Sequence, residues 1–138
     1  MLFVRISKWL SPVKIKNCMQ KVLVDINRNL ITLQGKFGEM LLMVYDKQMK
    51  KLLEKFVSRM STRFFDVIHA VERLNLKKAT SLVLEIIEEA DATMDSLAWR
   101  AASKPFEKIS HVIRELLQVL RSEVIFLEQY LQSRFVFF

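Results

Sequence analysis

The chain has 138 residues, one cysteine, a net charge of +7 and 51% apolar residues. That length suits one domain, one cysteine excludes an internal disulfide and points to a reducing compartment, and two glycines and two prolines are too few for the many turns of a β-rich fold. No run reaches the roughly 18 uncharged apolar residues of a membrane span, so the apolar excess points to an oligomer or partner interface.

The first segment, residues 1–10, reads "MLFVRISKWL", with Arg5 and Lys8 set among apolar side chains and no acid before Asp25. This is the pattern of an amphipathic arm suited to a membrane surface. The expectation is a short arm packed on the body rather than a cleaved presequence, ahead of one helical domain over 11–138. Ser11-Pro12 predicts a helix start, a capping hydroxyl followed by proline at the first helical position. Ile15, Met19, Val22, Ile26, Leu30 and Leu33 then repeat with the period of one helix face. Gly35 and Gly38, in "GKFG", predict the end of this helix and a turn.

A second stripe runs Leu41, Tyr45, Met49, Leu52/Leu53, Phe56, Met60, Phe64, Val67/Ile68, Val71 and Leu74. It never loses helical phase, so it is either one long helix over about 38–74 or two helices broken near Met60 to Thr62. The expectation is the long helix, with that stretch as the place for a kink. Asn75, in "LNL", suits a cap or a left-handed residue. The third stripe is Leu76, Ala79, Val83, Ile86/Ile87, Ala90, Met94, Leu97 and Ala101. "SKP" at Ser103 to Pro105 starts a last helix with Phe106, Ile109, Ile113, Leu116, Leu120, Val124, Leu127 and Leu131 inward. Four to five amphipathic helices on short connections predict an all-α antiparallel bundle.

Two charge features stand out. "EIIEEADATMD", Glu85 to Asp95, carries five acids in eleven residues of a basic chain. With its apolar stripe centred near Val83 and Ala90, Glu85, Glu88, Glu89 and Asp95 point away from the core and Asp91 sits on the flank. One helix edge supplies too few oxygens for a divalent cation. The expectation is a solvated face that doubles as a protein-docking strip of Glu88, Asp91 and Asp95, bordered by Trp99, an aromatic of the kind that marks interfaces. The second feature is a basic first half: residues 1–60 carry +8 and residues 61–138 carry −1. Lys14, Lys21 and Arg28 recur every seven residues, and Lys51, Lys55 and Arg59 every four. Such rows can track phosphates of nucleic acid or other anions.

Catalytic patterns are absent from the sequence: no Gly-rich phosphate loop, no nucleophile elbow and no metal-spaced Cys/His set. Cys18 reads as packing. Arg63 and His69 resemble the spaced Arg…His pair of HEPN ribonucleases, but both histidines, His69 and His111, fall on outward positions. No catalytic residue, metal, cofactor or small-molecule substrate is expected.

Residues of about 50–135 resemble the PhoU-like family of phosphate-transport regulators. The likeness lies in the turn from Ala70 to Leu76, in Lys78-Ala79 leading to "IIEEAD" (Ile86 to Asp91), and in the Pro105-Phe106 turn. It implies one three-helix repeat and a non-enzymatic regulator that docks on another protein. Asp91 and Asp95 match the spacing of the family's acidic metal motif, while Glu123 is followed four residues later by Leu127, so the matching pair on the last helix is incomplete. A second likeness is to small basic bundles that accompany reverse transcriptases and bind RNA. The leading expectation is therefore a cytoplasmic regulatory or adaptor bundle acting by protein contact or as a homo-oligomer. The rival is an RNA- or DNA-binding accessory protein.

Overall fold

The computed structural model describes residues 12–101 and 104–135, with side chains from Met19 to Ala98 and from Lys104 to Gln132. The arm of residues 1–10 lies outside the described residues. Four helices follow one another: α1 (Pro12–Leu42), α2 (Lys47–Glu72), α3 (Leu76–Ala101) and α4 (Lys104–Phe135). α1 packs on α2 and α4, and α3 packs on the same two, so the four close a ring around one core. Among the described residues no helix is long and apolar enough to cross a membrane.

The stripes read from the sequence supply that core. Ile26, Leu30 and Leu33 of α1, Leu53 and Phe56 of α2, Val83 and Ala90 of α3, and Ile113 and Leu120 of α4 are all buried. Each large apolar side chain removed from water contributes about 1.5–3 kcal/mol. Phe37 ties α1 to α2, edge-on to Phe56 at 5.5 Å and tilted against Phe64 at 6.0 Å. Among the described residues no charged or polar side chain is fully buried.

Several expectations are corrected. α1 does not stop at "GKFG": Gly35 and Gly38 are helical, and the inward stripe continues through Phe37 and Met40. A glycine costs a helix about 1 kcal/mol, which burying those two side chains outweighs. The break falls at residues 43–46 instead, so no single helix runs over 38–74. There the amides of Met43 and Val44 turn back onto Met40 and Leu41. Asp46 caps α2, its carboxylate accepting from the Gln48 amide at 2.8 Å. α2 itself runs unbroken through Met60 to Thr62. Tyr45, expected inward, is 92% exposed, and Val44 takes the core position. On α4 the buried residue is Leu117, with Leu116 only half-buried.

The turn between α2 and α3 closes with the Asn75 amide on the Ala70 carbonyl and the Leu74 amide on the Val71 carbonyl, a Schellman arrangement. Leu74, not Asn75, takes the left-handed backbone, at φ 58°. Asn75 opens α3, accepting from the amides of Lys78 and Ala79.

Candidate functional site

The acids of α3 divide into three sets according to the helix they lean towards. Glu89 leans to α2, where two arginines one turn apart meet it: Arg59 at 2.9 Å and Arg63 at 3.0 Å. Asp91 and Asp95 lean to α4, where the guanidinium of Arg114 lies 3.4 Å from Asp91 and 2.5 Å from Asp95. These two carboxylates sit one turn apart, and one planar guanidinium can serve both. Glu85 and Glu88 stay exposed on the outermost line of the helix, without an ion pair among the described residues.

Of the four docking residues expected from the sequence, the structure therefore brings Asp91 and Asp95 together around Arg114 and leaves Glu88 open. The Trp99 side chain lies outside the described residues. Arg114 escaped the sequence reading because its role depends on which turn of α4 lies beside Asp91. The same holds for Arg59 and Arg63, one read as part of an anion row and the other as half of a nuclease pair. Both neutralise Glu89.

The basic rows fare unevenly. Lys21, Arg28, Lys51 and Lys55 are exposed, and Arg28 lies 3.9 Å from Asp25. Arg59 is committed to Glu89, so the second row keeps two open lysines. The side chains of Lys14 and Cys18 lie outside the described residues. His69 is exposed and stacks edge-on against Phe65 at 4.5 Å, while Arg63 turns to Glu89. His111 stands 2.9 Å from Glu115 on the surface of α4.

A third polar group crosses from α1 to α4. Asn29 donates to the half-buried carboxylate of Glu123. Burial raises the Glu123 pKa, Asn29 counteracts this, and Asp25 adds to the rise. Together with the apolar Val22, Val119 and Phe126 these acids line a groove between α1 and α4. Beside it, Phe126 stacks on Tyr130 at 6.2 Å. Between α3 and α4, Thr80 donates to Glu128 at 3.1 Å.

Among the described residues no group of three or more His, Cys, Asp or Glu is placed to hold a metal ion. Asp91 and Asp95, spaced like an acidic metal motif, face a guanidinium. No family model, curated protein or solved structure matches the chain.

Proposed function

We propose that this chain is a non-enzymatic regulatory or adaptor module, PhoU-like in kind and working in the cytoplasm, that acts by protein–protein contact from an antiparallel four-helix bundle. One observation carries the reading: large apolar side chains stand well out of the surface of a chain with a closed core, among them Ile31, Phe65, Val119 and Phe126, each about half exposed or more. Val119 and Phe126 share one groove with Val22, and contiguous exposed apolar side chains mark interaction surfaces. Their number accords with the apolar excess in the composition. On α3, Glu85 and Glu88 supply the open negative charge of the docking strip, and the Arg114 clamp holds Asp91 and Asp95 in place at its border.

The rival reading, a basic bundle that binds RNA or DNA, is favoured by the exposed Lys21, Arg28, Lys51 and Lys55. A pull-down from the native host, with and without nuclease, separates the two. The adaptor reading expects a nuclease-resistant partner that is lost from Glu85→Lys/Glu88→Lys. Binding to nucleic acid that falls steeply with salt and disappears in Lys21→Glu/Arg28→Glu would sink it in favour of the rival.

A further inference from the structure

α1 is apolar on two sides. Its inner side carries Ile26, Leu30, Leu33 and Phe37. Its outer side carries Val24, Ile31 and Leu42, which are 55%, 62% and 75% exposed. At 3.6 residues per turn these three fall within about 20° of one line, pointing away from the bundle. Both glycines of the chain, Gly35 and Gly38, lie along the same strip. Neither has a positive φ, and the space a Cβ would occupy is empty at each. Neither a turn nor internal packing therefore asks for glycine there. What glycine does permit on an outer helix face is the close approach of a second backbone. A helix apolar on both sides is one that is covered on both sides.

The charges beside the strip indicate what covers it. Arg28 and Glu39 are eleven residues apart, three helical turns, and so lie on one flank with opposite signs. The other flank carries the uncharged Asn27 and Gln34. When a second α1 lies antiparallel on the first, about a two-fold axis between residues 33 and 34, Arg28 of each copy faces Glu39 of the other. A parallel pair puts these flanks on opposite sides of the contact, and the match is lost. Within one chain, among the described residues, Arg28 pairs with Asp25 at 3.9 Å and Glu39 with Lys36 at 3.4 Å, both exposed pairs that hold their charges weakly.

We propose that the outer face of α1 is a self-association surface on which a second copy of the chain packs antiparallel, giving an isologous dimer centred between Ile31 and Gly35. This rests on the protein-contact reading above and names one partner as the chain itself.

The test is the mass of the full chain in solution over a concentration series. Two chains are expected for the wild type, and one for Ile31→Glu at the same concentration with helix content unchanged. Arg28→Glu and Glu39→Arg should each weaken the dimer by about tenfold. The double variant Arg28→Glu/Glu39→Arg should restore it, because the swap is again self-complementary. A wild-type chain that stays monomeric throughout overturns the proposal, whether the face proves to belong to residues 1–10 or to another protein. So does a double swap no tighter than its single variants. A monomer that still captures a host protein through Glu85 and Glu88 overturns self-association alone, while a dimer without capture refutes the adaptor reading alone.

Discussion

Glu123 is a side chain whose environment departs from its solvated state. It is half-buried between α1 and α4 and accepts from Asn29, 94 residues away in the chain. Because its folded pKa is raised above the ordinary 4.5, the folded state holds its proton more tightly than the unfolded state does. The stability it contributes is present below the ordinary value and is lost as pH rises through the folded value. Glu123→Gln keeps an acceptor for Asn29 and removes the titration. Its stability advantage over the wild type should therefore widen between mildly acidic and neutral pH, read from urea denaturation midpoints. An advantage constant with pH would contradict this account. The sequence placed Glu123 beside a buried stripe, but its partner follows from helix register, which periodicity does not encode. Leu74 shows the same limit. The left-handed position falls on a leucine because the closing hydrogen bonds to Ala70 and Val71 set where α2 ends.

At the scale of the helices, the apolar stripes were legible and the punctuation was not. α3 and the core side of α2 follow their periodicity almost residue for residue, since burial of one face sets their orientation. Glycine misled because its helical penalty is small beside the burial of Phe37 and Met40. The true break, with Asp46 as cap, was hidden by a stripe whose spacing carried Tyr45 across it in phase. The open space at Gly35 and Gly38 gives the α1 prediction. In the monomeric Ile31→Glu background, Gly35→Ala and Gly38→Ala should each stabilise the chain by about 1 kcal/mol, from helix propensity alone, measured by chemical denaturation. A loss of stability there would mean that the strip is already filled within the monomer.

For the molecule as a whole, the fold class was readable because four amphipathic stripes on short connections leave few other ways to bury 51% apolar residues. The site was readable only in outline. The outward acids were foreseen, but their division into a clamp on Arg59 and Arg63, a clamp on Arg114 and an open pair depends on how four helices meet. The four seams between helices differ in kind. Polar side chains cross from α1 to α4, from α2 to α3 and from α3 to α4. The α1–α2 seam is the sparsest of the four, and among the described residues it is held by apolar and aromatic contact alone. With no polar pair to add to that packing, this seam is where the ring should part first when the native state fluctuates. Amide hydrogen exchange should accordingly report a hierarchy in the monomeric background: buried amides of α3 exchanging last, near the global unfolding free energy, and those of α1 facing α2 exchanging earlier by partial opening. Uniform protection across all four helices would instead mark the ring as a single cooperative unit.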